Sequence, residues 1–173
     1  VDIAIFTNLT HDHLDYHGTM ENYFEAKKRL FDQLKPDGTA ITNKDDPHGM
    51  AMVADCPARV VTYGVLEKAD YEAKDIQLNA DKTIFTLVHD GSEYPVQTNL
   101  VAMFNLYNLL AVIAALHEGG LPIEQILEQL NTIPQIEGRM ERIEEGQPFN
   151  IIVDFAHRYS GPKEDQKQAL RIL

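Results

Sequence analysis

A chain of 173 residues with 15 Lys and Arg against 27 Asp and Glu carries a net charge of −12, which argues against nucleic acid or an anionic membrane as its partner. Its 44% apolar content supports a packed core, and a single cysteine, Cys56, excludes an internal disulfide and fits a reducing cytoplasm. No apolar run reaches the roughly 18 residues of a membrane span, and no signal peptide is visible.

Val1 leads straight into a short apolar run, 1–6, that predicts a buried strand. With no initiator Met before it, and with Leu173 falling inside a helix-like run, the chain is expected to be a piece of a longer protein. Residues 19–34 predict a helix, with Thr19 as N-cap, Glu21 in the positive first turn and Pro36-Asp37-Gly38 beyond its end. A strand is expected at 39–42, a turn at 43–47, a short helix at 48–54 and a strand at 59–63. That alternation indicates an α/β sheet. From 71 to 98 the pattern becomes short strands separated by Asn79-Ala80-Asp81-Lys82 and His89-Asp90-Gly91-Ser92, the mark of antiparallel hairpins. Residues 103–117 are apolar on nearly every face, so a buried helix is expected there, stopped by Gly119-Gly120. Pro122 opens another helix through about 130. Residues 131–137 read as a linker, followed by strands at 139–143 and 149–155 and a helix at 163–173.

Two features could carry chemistry. His11, Asp12, His13, Asp15 and His17 lie within seven positions just past a strand end, where α/β sheets bind ligands. They lack the paired-His spacing of a zinc helix and, by themselves, read equally well as a polar loop. On the following helix the apolar stripe is Met20, Tyr23, Phe24, Leu30, Phe31 and Leu34. Lys27 falls within it, while Lys28 and Arg29 are expected to point elsewhere. A lysine on a core-facing stripe either snorkels outward or is paired, neutral or modified.

The run Thr7-Asn8-Leu9, Asp12-His13-Leu14-Asp15-Tyr16-His17-Gly18, continued by Glu25-Ala26-Lys27, closely resembles the central domain of Mur ligases. So do Met103-Phe104-Asn105-Leu106-Tyr107-Asn108, Glu137-Gly138-Arg139-Met140-Glu141-Arg142 and Val153-Asp154-Phe155-Ala156-His157, in the family's order. The nearest branch is the one that adds the third residue of the peptidoglycan stem peptide. The resemblance implies a P-loop-like, mostly parallel α/β sheet with helices on both faces and a small antiparallel subsheet. It implies a central domain over 1–136 and, over 137–173, a linker and the start of a Rossmann-like C-terminal domain.

The implied activity is ATP-dependent peptide ligation. The D-Glu carboxyl of a UDP-muramoyl dipeptide is phosphorylated, and the amine of L-lysine or meso-diaminopimelate attacks the acyl phosphate. The setting is cytoplasmic cell-wall synthesis, which serves cell shape and division. A monomer is expected, with no nucleic-acid partner and no membrane span. Carried over by position, Lys27 is the carbamylated lysine, and His13 and Lys27 hold Mg2+. Asn105 and Asn108 lie at the adenine, Arg139 at the terminal phosphate, Asp154 at the ribose, and His157 near the nucleotide. Arginine suits a phosphate because its planar fork donates two parallel hydrogen bonds. Asn105 and Asn108 are expected to share one face of their helix, where helix capping is the alternative role for Asn105. Asn43, Asp45 and Asp46 are read as turn chemistry.

The chain departs from the family in two places. The family's phosphate-binding loop ending Gly-Lys-Thr would lie before Val1, so this chain alone is expected to be inactive. The segment Arg158-Tyr159-Ser160-Gly161-Pro162 replaces the family's usual Thr-Pro-Asp-Ala, which weakens the reading of His157. A folylpolyglutamate synthase-like ligase, a metal-dependent hydrolase and a non-catalytic binding remnant are the alternative readings.

Overall fold

The structure, a computed structural model, describes residues 1–10, 14–134, 136, 138–143, 145–147, 151–154 and 169–172, the last four and 14, 15, 142 and 154 by backbone only. The amino-terminal part is a βα alternation. It runs β1 (Ile3–Phe6), α1 (Leu14–His17), α2 (Met20–Asp32), β2 (Thr39–Asn43), α3 (Gly49–Met52) and β3 (Arg59–Gly64). Three antiparallel-linked strands follow: β4 (Tyr71–Leu78), β5 (Thr83–His89) and β6 (Ser92–Thr98). Next come α4 (Met103–Glu118), α5 (Ile123–Gln129), a 3-10 turn (Leu130–Thr132), β7 (Glu141–Ile143), β8 (Ile151–Asp154) and β9 (Ala169–Ile172).

One six-stranded sheet holds β1 to β6 in sequence order, with β1 to β4 parallel and β4 to β6 antiparallel. The expected hairpins therefore continue the parallel sheet and do not stand apart from it. The tight turn between β5 and β6 has Asp90 at φ 48° and Gly91 at φ 76°, the pair of positive values a two-residue hairpin needs. A bulge between Lys74 and Gln77, with Asp75 at φ 51°, breaks the β4–β5 ladder.

Strand alternation divides the core between the two faces of the sheet. Ala4, Phe6 and Ala40 turn to one side with Phe31 and Leu34 at the end of α2, and Met52 of α3 joins them. Ile41, Val61, Tyr63, Tyr71, Phe85 and Leu87 turn to the other, under α4 and α5. Each large apolar side chain so covered contributes on the order of 1.5–3 kcal/mol. Helix α4 has buried residues over most of its circumference, as its all-round apolar sequence requires.

The parallel strands and the helices run in opposite senses, which sets the two edges of the sheet. At the amino-terminal edge α4 ends on a polar cluster. There the Tyr71 hydroxyl donates to Glu118 Oε1 (2.9 Å) and so accepts from His117 Nδ1 (2.6 Å). Glu118 also pairs with Arg59, and His89 stacks on Tyr71 at 4.1 Å between ring centroids. Burial, with help from Asp90 and Asp70 and against Arg59, pushes the Tyr71 hydroxyl up to about 12.

Two expectations are corrected. Within the helix expected over 163–173, residues 169–172 instead form β9, which pairs antiparallel with β8. Ala169-Leu170-Arg171-Ile172 is of mixed propensity, and the Ile151–Asp154 strand offers it a ladder. Pro122 is the N-cap of α5, one position before its expected place.

Candidate functional site

Loops after β1, β2 and β3 and the amino terminus of α4 meet at the carboxyl-terminal edge of the parallel strands. Residues 7–10 leave β1 toward the histidine run. His11, Asp12 and His13 lie outside the described residues, so the structure says nothing of His13. After it, His17 stacks on Tyr23 at 4.8 Å, which joins the short α1 to the first turn of α2. Thr19 caps α2 as expected, its hydroxyl accepting from Asn22 N (3.2 Å).

Lys27 is half-buried, with Nζ 4.9 Å above the Tyr23 ring centroid, a cation–π contact. The more buried lysine is its neighbour. Lys28 is only 8% exposed and bonds Asp32 (2.5 Å) and Asp55 (2.8 Å), tying α2 to the loop after α3. Those bonds, Asp32 first and Asp55 next, outweigh desolvation and raise its pKa. The expectation that Lys28 points away from the core is thus corrected, and so is Leu30, 46% exposed, as part of the apolar stripe. Consecutive helical positions differ by about 100°, so a broad stripe takes in both 27 and 28, and a partner as distant as Asp55 decides which of them is covered.

Asn105 is buried in the first turn of α4 and donates from Nδ2 to Val101 O (2.7 Å). Asn108, expected on the same face, is exposed. Between them Tyr107 donates to Asp45 Oδ2 (2.8 Å). The joint before α4 is strained: Ala102 has φ 75° and ψ 150°. Arg139 is exposed in a turn closed by its own N–H to Ile136 O (3.0 Å), just before β7. Asp154 ends β8, its side chain outside the description, and His157 lies outside the described residues. The structure therefore sets Lys27 and Asn105 on helices packed against opposite faces of one sheet. Both helices start at the same edge; Asn105 lies in the first turn of α4, and Lys27 near the middle of α2.

The group read as mere turn chemistry does more. Asn43 Nδ2 donates to Thr7 O (3.0 Å), and Asp46 Oδ2 accepts from Leu9 N (3.2 Å), so β2's end holds the loop that leads to the histidine run. Asp45 accepts from the N–H groups of Val65 (2.6 Å), Leu66 (2.9 Å) and Glu67 (3.0 Å), besides Tyr107. Burial disfavours its charge, but the Leu66 and Val65 N–H groups, the Tyr107 hydroxyl and the Glu67 N–H more than offset this and lower its pKa. Burial, and then Asp45, pushes the Tyr107 hydroxyl well above its ordinary value. Tyr63 donates to Phe6 O (3.1 Å) beneath this network. An Asn-x-Asp-Asp cluster after a buried strand was the available signal, but its partners lie 20 to 62 positions away. Among the described residues no group of three His, Cys, Asp or Glu could hold a metal ion.

Residues 1–116 match the family model described as the Mur ligase middle domain. The chain is 44% identical over 162 residues to a UDP-N-acetylmuramoyl-L-alanyl-D-glutamate–2,6-diaminopimelate ligase of Geobacillus kaustophilus, covering 90% of this chain and 33% of that protein. It is 42% identical over 162 residues to the like-named protein of Geobacillus thermodenitrificans, with the same coverage. A solved structure, also titled as a UDP-N-acetylmuramoyl-L-alanyl-D-glutamate–2,6-diaminopimelate ligase, superposes with a TM-score of 0.75 at 32% identity, over 84% of this chain and 31% of that one. The chain spans about a third of the length of the curated relatives it matches.

Proposed function

The chain belongs to the Mur ligase family, and from that premise we propose that it is the central part of an ATP-dependent ligase that joins a diamino acid to UDP-N-acetylmuramoyl-L-alanyl-D-glutamate in peptidoglycan synthesis. The observation that carries this reading is a meeting of parts at one sheet edge. The loop into the histidine run, the start of α2, which carries Lys27 near its middle, and the first turn of α4 with Asn105 lie at the carboxyl-terminal end of the parallel strands. Of L-lysine and 2,6-diaminopimelate, the second is favoured, because it is the substrate named for the relatives above.

In this reading the residues act as follows. Asn105 and Asn108 take the adenine, Asp154 the ribose, and Arg139 the terminal phosphate. His157 lies near the nucleotide. Arg139 is exposed, which opens its guanidinium to a phosphoryl group on which negative charge accumulates. Lys27 gives up its ammonium proton, and the neutral Nζ then takes up CO2, forming an N–C bond and releasing a second proton, so that it becomes an anion with two oxygens. Lys28 is spoken for by Asp32 and Asp55 and keeps its proton, whereas Lys27 stands over an aromatic face with no acidic partner among the described residues. The Lys27 carbamate and His13 would hold Mg2+; among the described residues no group of three His, Cys, Asp or Glu could do so. An ion bound there would supply neutralisation of charge on the phosphoryl oxygens.

The test is product formation by the intact ligase that contains this chain. With ATP, UDP-muramoyl dipeptide and 2,6-diaminopimelate, mass spectrometry should find the tripeptide adduct, and L-lysine should serve far less well. A product that forms without ATP, or none with either diamino acid, would refute the assignment.

A further inference from the structure

Asp45 is saturated with donors from two parts of the fold. Three are consecutive backbone N–H groups of residues 65–67, enough by themselves to close the loop after β3. The fourth is the Tyr107 hydroxyl, 62 positions away on α4. Gly64 makes the approach possible, since a Cβ there would lie 3.1 Å from Asp45 Oδ1.

Tyr107 stands between Asn105 and Asn108, one turn after the strained joint at Ala102. Besides the backbone bonds to Ala102 O, two side-chain bonds among the described residues bear on that joint. One is local, the bond from Asn105 Nδ2 to Val101 O (2.7 Å). The other is Tyr107 on Asp45, which fixes α4 against the ends of β2 and β3. A residue at φ 75° and ψ 150° keeps that conformation only while its surroundings enforce it. Without the hydroxyl, the first turn of α4 keeps its local bonds and its packing but loses its side-chain tie to the ends of β2 and β3.

We propose that Tyr107 and Asp45 form a positioning strut that sets the first turn of α4, and so aims Asn105 at the nucleotide; this rests on the reading of the chain as part of an ATP-using ligase. The strut serves nucleotide binding and leaves the sites of the muramoyl dipeptide and the diamino acid alone. Neither residue touches the reacting atoms.

The test uses the intact ligase, with ATP titrated calorimetrically and steady-state rates measured beside it. Tyr107→Phe should weaken ATP binding roughly tenfold, the weight of one hydrogen bond to a charged acceptor. It should leave the KM for the muramoyl dipeptide, and kcat at saturating ATP, within about twofold of wild type. Asp45→Asn should do the same, and the double variant should bind ATP no worse than the weaker single one. Unchanged ATP affinity in Tyr107→Phe overturns the proposal, as does equal weakening toward ATP and dipeptide, or additive losses in the double variant. Should Asp45→Asn fail to fold, Tyr107→Phe decides alone. Wild-type protein that binds ATP without ligating refutes the proposed function only, and the strut is then judged on ATP affinity. Wild-type protein that binds no ATP refutes both.

Discussion

Replacing Ala102 by glycine should stabilise the protein, although it removes a methyl group. The residue sits at φ 75° and ψ 150°, a region essentially restricted to glycine and costly to other residues by about 1–3 kcal/mol. Glycine's freer unfolded chain gives back about 0.5–1 kcal/mol. Half-burial of the methyl is worth a further ~0.4 kcal/mol, half of the usual value for a buried CH2. Taking midpoints, about 1 kcal/mol remains in favour of glycine, which in a chain of this size raises Tm by roughly 2–4 °C. Thermal melts followed by circular dichroism, with urea titration as a second measure, would read it. Ala102→Val is the control, because a β-branched residue tolerates positive φ still less and should lower Tm. A lower or unchanged Tm in Ala102→Gly, with Val tolerated, would refute the claim that this joint is strained.

Gly49→Ala should destabilise by about 2–3 kcal/mol, because the new Cβ would lie 1.9 Å from the Asn43 carbonyl oxygen, which cannot swing away; the urea midpoint measures it. Lys28→Ala should lower the melting temperature, since it unties α2 from Asp55, while Lys27→Ala should leave it near wild type. His117 has a lowered pKa, from burial first and from His89 second. The folded state then binds that proton more weakly than the unfolded state, so stability is complete above the unfolded pKa of 6.5 and is lost as pH falls toward the folded value. Urea midpoints between pH 7.5 and 5 should fall on acidification, and His117→Gln should flatten the slope.

What the sequence could and could not show follows from the reach of each interaction. The parallel strands, the Asp90-Gly91 hairpin and the Thr19 cap are local patterns, and each stands where the pattern placed it. Lys28 was misjudged because helical periodicity cannot see Asp55, which lies 27 positions away in sequence. Asp45 looked like any turn aspartate because Tyr107 and the loop at 65–67 reach it only through the folded sheet. The strand at Ala169–Ile172 was hidden for a like reason: four residues of mixed propensity take the state that the free edge of β8 offers. Of the candidate site, the sequence motifs proposed the residues, and the structure adds how Lys27, Asn105 and the backbone of Arg139 are held.

The most direct measurement is the ligation rate of the intact enzyme with saturating bicarbonate, ATP and 2,6-diaminopimelate, compared among wild type, Lys27→Ala and Lys28→Ala at a temperature where all three are folded. The expected result is loss of most activity in Lys27→Ala, with Lys28→Ala close to wild type. Equal rates for wild type and Lys27→Ala would contradict the assignment of Lys27 to the catalytic site.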